Sequence, residues 1–187
     1  MHDHLRRLGI DHEIVACDPE LADTAAFCET YGYAPEDSAN TILVVGKARP
    51  GGGPGEVARP GGGPGDVARP GGGPGGPADP LRYAACVVLA TTRLDVNKTV
   101  RRRLGVKKAS FADPEQTRSI TGMRIGGVTA LGLPEDLPIW VDARVVERPR
   151  IILGGGSRNC KVVGPPTLLT AQSSVEVVPG LAVSTAT

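Results

Sequence analysis

The chain has 187 residues, 40% of them apolar, and 21 Lys and Arg stand against 20 Asp and Glu for a formal net charge of +1. That length suits one packed domain, and the near-neutral balance gives the whole molecule no electrostatic preference, so any affinity for nucleic acid has to come from a local patch. No apolar run reaches the roughly 18 residues of a membrane helix. The opening Met1-His2-Asp3-His4-Leu5-Arg6-Arg7 leads into a mixed segment rather than an apolar one, so no membrane partner and a cytoplasmic location are expected. Cys17, Cys28, Cys86 and Cys160 are scattered without a CxxC pair, and His2, His4 and His12 lack companion ligands. Reduced thiols and no metal site are therefore expected.

In chain order, the pattern predicts a short helix over 4–8, a strand over 13–16 and a second helix over 22–31 stopped near Gly32. The β-branched run Thr41-Ile42-Leu43-Val44-Val45 reads as a buried strand. Then comes a repeat of period ten. Ala48-Arg49-Pro50-Gly51-Gly52-Gly53-Pro54-Gly55-Glu56-Val57 recurs over 58–67, with Asp66 for Glu56, and again from Ala68 to Pro77. Residues 48–79 hold 13 of the 26 glycines and 7 of the 17 prolines. Such a segment cannot offset its ordering entropy by apolar burial, which predicts a disordered insertion within a single domain spanning 1–187. A tolerated hairpin-tip expansion and a ligand for a proline-binding module both fit it.

After the repeat, a strand is expected over 83–91. Asp95 is placed to cap a helix running to about Leu104, with Gly105 as its stop. A short strand over 108–112 precedes Asp113-Pro114-Glu115-Gln116, a helix start with Asp at the cap and Pro in the first turn, and Gly122 ends that helix. Strands are expected over 138–141, 150–153, 161–163 and 175–178, with a helix over 165–172. Helices and strands intermix without regular alternation, which predicts an α+β fold with a mixed, mainly antiparallel sheet.

Lys98, Arg101, Arg102, Arg103, Lys107 and Lys108 fall in a stretch without an acid. They form either a solvated helix face or a phosphate-contact patch. Gly126-Gly127 reads as a turn or a substrate-contacting loop. Gly154-Gly155-Gly156-Ser157 lacks a Walker lysine and reads as a hairpin turn or a pocket wall. Asp142 ends an apolar strand as a turn residue or a pocket carboxylate, and Cys160 reads as a half-buried strand residue.

The order of several motifs resembles one family. Ala109-Ser110-Phe111-Ala112-Asp113-Pro114 leads to Thr121-Gly122-Met123-Arg124-Ile125-Gly126-Gly127-Val128-Thr129. There follow Leu131-Gly132-Leu133-Pro134, Leu137-Pro138-Ile139-Trp140-Val141-Asp142 and Ile152-Leu153-Gly154-Gly155-Gly156-Ser157-Arg158. Together they resemble the aminoacyl-tRNA editing domains typified by free-standing YbaK proteins and the insertion domain of bacterial prolyl-tRNA synthetase. The resemblance implies a barrel-like sheet with packed helices and a metal-independent, cofactor-free deacylase. Its partner would be the 3′ acceptor end of aminoacyl-tRNA, with transient contact to a synthetase.

The resemblance also implies that backbone N–H groups of a glycine loop meet the ester carbonyl, which suits an oxyanion that preorganised donors stabilise. On this sequence it assigns Gly126, Gly127 and Asn40 to catalysis and Thr41, Val128, Thr129, Asp142, Gly155 and Ser157 to substrate binding. Read as a phosphate-contact patch, the basic stretch puts Lys98, Arg101 and Arg102 on tRNA phosphate. Asn40 stands where the family commonly has lysine, and Ala130 where the loop often ends in proline. These departures leave a second reading open: a protein that keeps the fold and binds aminoacyl-tRNA or a small amino-acid-like ligand without turning it over.

Overall fold

The computed structural model describes residues 1–48 and 81–185. In chain order these form α1 (His2–Leu8), β1 (Glu13–Ala16), α2 (Thr24–Tyr31), β2 (Ala39–Ala48), β3 (Leu81–Leu89) and β4 (Thr92–Leu94). A π-helical turn over Val96–Val100 then runs into α3 (Arg101–Leu104), followed by β5 (Val106–Phe111), α4 (Pro114–Thr121), β6 (Ile139–Asp142) and α5 (Ala143–Val146). The chain closes with β7 (Ile151–Gly154), β8 (Cys160–Gly164), α6 (Thr167–Thr170), β9 (Val175–Val178) and β10 (Ala182–Ser184). The repeat expected to be disordered lies, beyond Ala48, outside the described residues. None of the described helices is long and apolar enough to cross a membrane.

The elements start and stop where local chemistry dictates. Asp95 accepts from the amides of Lys98 and Thr99, and Gly105 closes that helical stretch at φ 66°. Asp113 and Gln116 form a reciprocal capping box around Pro114, and Gly122 ends α4 at φ 70°.

Five strands form one sheet in the order β5-β2-β3-β6-β9. The β2–β3 and β2–β5 pairs are antiparallel, and the β3–β6 and β6–β9 pairs are parallel. A three-stranded antiparallel sheet β1-β8-β7 packs nearby, and β10 pairs with β4. The architecture is α+β, mixed and mostly antiparallel. The barrel-like closure is not found among the described strands, because the five-stranded sheet ends at β5 and β9.

The apolar run over residues 84–89 of β3 follows from its central place. Successive side chains point to opposite faces, and both faces are covered. Ala85, Val87 and Leu89 join one core with Leu43, Ile139, Val141, Leu153 and Leu168, while Ala84, Cys86 and Val88 join another with Val44, Trp140, Leu104 and Leu181. Burial in that second core pushes the Cys86 thiol up to about 12. A third, smaller cluster gathers Phe27, Cys17, Cys28, Ile152 and Val163 beneath α2.

One buried acid fixes the approach between the sheets. Asp37 accepts from Arg148 Nε at 3.0 Å and Nη2 at 2.6 Å, and from Arg150 Nε at 3.4 Å. The next residue, Ser38, bridges to Ile152. The start of β2 is thereby held against β7, with a cleft between them.

Candidate functional site

That cleft is a cavity of about 400 Å³. Its floor is the first half of β2, including Asn40, Thr41 and Leu43; Thr24 and Phe27 of α2 close one side. The opposite side is Gly126, Val128 and Gly154. Phe111, which ends β5, and Ile125 form an apolar lip, 59% and 55% exposed.

Several polar groups lining the cavity keep unused hydrogen-bonding capacity among the described residues. Thr41 Oγ1 is buried without a hydrogen bond among the described residues, a state that costs free energy unless a ligand satisfies it. Thr24 Oγ1 donates to Asn40 Oδ1 at 3.0 Å, which leaves the Asn40 amide nitrogen as a donor toward a ligand. Around the glycine loop, Gly127 N donates to Arg124 O at 3.0 Å. The amides of its neighbours Gly126 and Val128 make no backbone hydrogen bond among the described residues.

The two glycine-rich segments are placed against each other. A Cβ on Gly127 would lie 2.5 Å from the carbonyl carbon of Ser157 and 2.7 Å from its Cα, and a Cβ on Gly154 would run into the carbonyl of Val128. Gly156 N donates to Gly127 O at 2.9 Å. Gly126 takes φ 90° beneath the Arg158 guanidinium, which itself donates to Pro19 O at 2.9 Å and pairs with Asp23 at 3.5 Å. Glycine is needed at 127 and 154 for close approach and at 126 for its dihedral as well.

Of the residues assigned from sequence, Asn40, Thr41, Gly126 and Val128 line the cavity. Gly127 does not: its amide is already used and its absent side chain serves the packing. Gly155 and Ser157 lie behind the wall, where Gly155 N donates to Cys160 O at 3.1 Å and Ser157 Oγ accepts from Asn159 N at 3.3 Å. Thr129 is fully buried, its Oγ1 accepting from Leu131 N at 3.4 Å.

Asp142 departs furthest from its expected place. It is 1% exposed, accepts from Arg144 Nε at 2.8 Å and Ala182 N at 2.8 Å, and caps α5. Its acceptor capacity is spent on the scaffold, and it is absent from the cavity. The cavity is also lined by Thr24, Phe27, Phe111, Ile125 and Lys161, to which the sequence motifs assign no role.

In the basic stretch, Arg103 is engaged, paired with Glu176 and stacked 5.1 Å from the Trp140 ring centroid. Lys98, Arg101 and Arg102 are exposed, form no ion pair among the described residues and do not line the cavity.

A crystal structure of a candidate trans-editing enzyme for prolyl-tRNA synthetase superposes with a TM-score of 0.68 at 20% identity, over 95% of this chain and 92% of that one. A hypothetical protein of known structure gives 0.68 at 18% identity, covering 94% and 95%. A candidate signal-transduction protein from Marinobacter aquaeolei gives 0.52 at 14% identity, over 98% of this chain but only 30% of its own length. At these identities the likeness is one of fold. The family model for the aminoacyl-tRNA editing domain matches residues 78–171, half of the chain. The protein belongs to that family.

Proposed function

We propose that the protein is a free-standing aminoacyl-tRNA deacylase that hydrolyses the ester of mischarged tRNA. The observation that carries this reading is a cavity lined by Gly126 and Val128, whose amides make no backbone hydrogen bond among the described residues, and by Thr41, whose buried hydroxyl has no partner among them. Attack of water on the ester carbonyl builds negative charge on its oxygen. Donors already fixed in place stabilise that charge without reorganising. The new C–O bond forms to water, the bond to the ribose oxygen breaks, and the water proton passes to the ribose, whose neighbouring hydroxyl can relay it. Asn40 donates to the terminal nucleotide. Gly127 acts from behind by fixing the loop.

The test is deacylation of a panel of aminoacyl-tRNAs, mischarged ones included, with the full chain. Hydrolysis of one or a few esters is the expected result. No hydrolysis with tRNA binding intact assigns the chain to the binding reading instead.

Lys98, Arg101 and Arg102 hold phosphate of the acceptor arm in this scheme. The double variant Arg101→Ala, Arg102→Ala should weaken tRNA binding uniformly across tRNA species and lower the salt slope of log K by about two, one per lost contact. Titrations at several salt concentrations read this directly, and an unchanged slope removes the patch from the proposal.

A further inference from the structure

Lys161 has no role in the scheme above, and its setting is unusual. It sits on β8 with register partners Val15 on β1 and Gly154 on β7. Val163, two residues on and therefore on the same face of the strand, belongs to the apolar cluster around Phe27. The strand pattern calls for an apolar residue at 161, yet a lysine only 8% exposed stands there and lines the cavity.

Its Nζ donates to Ala22 O at 2.6 Å and lies 5.6 Å from the Phe27 ring centroid. No carboxylate comes within ion-pair distance of it among the described residues. The nearest acid on the cavity wall is Asp23, whose side chain is 75% exposed and paired with Arg158. The Cys17 and Cys28 thiols also face this lysine. Burial pushes its ammonium below the ordinary lysine value. With one N–H given to Ala22 O, the other two donors of the ammonium make no hydrogen bond among the described residues, in a region where Lys161 and Arg158 lie near one acid, Asp23. A buried charge without a partner is costly, and that cost is offset when an opposite charge arrives.

An aminoacyl ester brings its own α-ammonium, which Lys161 repels. Of the groups an aminoacyl ester brings into the cavity, the amino-acid side chain is the one that varies between substrates, and the side-chain class that complements a buried ammonium is a carboxylate. We infer that Lys161 makes this cavity selective for aminoacyl groups with acidic side chains, aspartyl and glutamyl. This inference rests on the deacylase reading above.

Aspartyl and asparaginyl groups have nearly the same shape, so their comparison isolates charge. The full chain should hydrolyse aspartyl-tRNA with a kcat/KM at least about tenfold above asparaginyl-tRNA, and Lys161→Gln should bring that ratio to about one. The wild-type ratio is read without any variant, so a misfolded Lys161→Gln leaves the comparison intact. Equal or preferred hydrolysis of asparaginyl-tRNA, or of alanyl-tRNA, overturns the inference while leaving the deacylase reading in place. If no ester turns over, the deacylase reading fails, and affinities of the amide-linked aspartyl and asparaginyl adenosine analogues decide. Tighter aspartyl binding by about tenfold sustains the acidic subsite, and equal binding ends it.

Discussion

Gly127→Ala should lower deacylation by at least about 100-fold, although Gly127 touches no substrate. The new Cβ would meet the backbone of Ser157 at 2.5–2.8 Å. Backbone on both sides cannot rotate away as a side-chain tip can, so the loop must lift, and the Gly156 N–Gly127 O bond goes with it. In the proposed scheme the amides of Gly126 and Val128 would then leave the positions from which they meet the oxyanion. Single-turnover rates on the best ester of the panel, with a thermal melt beside them, check this. Gly122→Ala is the control. It has a positive φ but nothing within 4 Å of its Cβ, so it should cost about 1 kcal/mol of stability and leave the rate alone. Full activity in Gly127→Ala would show that the loop does not hold the donors.

Asp142→Ala should destabilise the fold by about 3 kcal/mol, since the Ala182 amide is left buried without an acceptor and the Arg144 guanidinium without its carboxylate. Asp142→Asn should recover only part of this, because its NH₂ turns a donor toward a donor. Burial opposes ionisation of Asp142, but the Arg144 guanidinium and the amides of Ala182 and Arg144 outweigh it and hold the carboxyl below its usual range. The unfolded chain takes up this proton first. The stability contributed here is therefore complete above about pH 4 and is lost as the pH falls from there toward the folded-state value. Urea melts at about pH 5 and about pH 3 should show a larger loss in the wild type than in Asp142→Asn. Equal losses would place the acid sensitivity elsewhere.

Much of the scaffold is legible in local signals. Asp95 and Gly105, the Asp113-Pro114-Glu115-Gln116 start and Gly122 carry their own start and stop chemistry, and β1 and β9 match their expected ranges. The short strands β4 and β10 escape because three residues show no period, and their pairing joins distant parts of the chain. The site divides the same way. Asn40, Thr41, Gly126 and Val128 sit in motifs whose order is informative. Lys161 and Thr24 lie outside those motifs and reach the cavity only through strand pairing and helix packing, which composition does not reveal. Asp142 did carry a readable signal: an acid directly before Ala143-Arg144-Val145-Val146 is a helix cap. Read that way, it belongs to the scaffold.

The backbone-to-backbone seam between residues 126–128 and 154–157 also bears on how such a protein can change. At Gly127 and Gly154 the width of that seam is set by backbone atoms every sequence shares, so neither position can accept a side chain without displacing the opposite segment, and variation at these two positions must be joint or absent. Phe111 and Ile125 lie under no such restriction, because they project outward at the mouth. New preferences can thus arise at the lip by exchange of single residues, while the backbone wall behind it stays as it is.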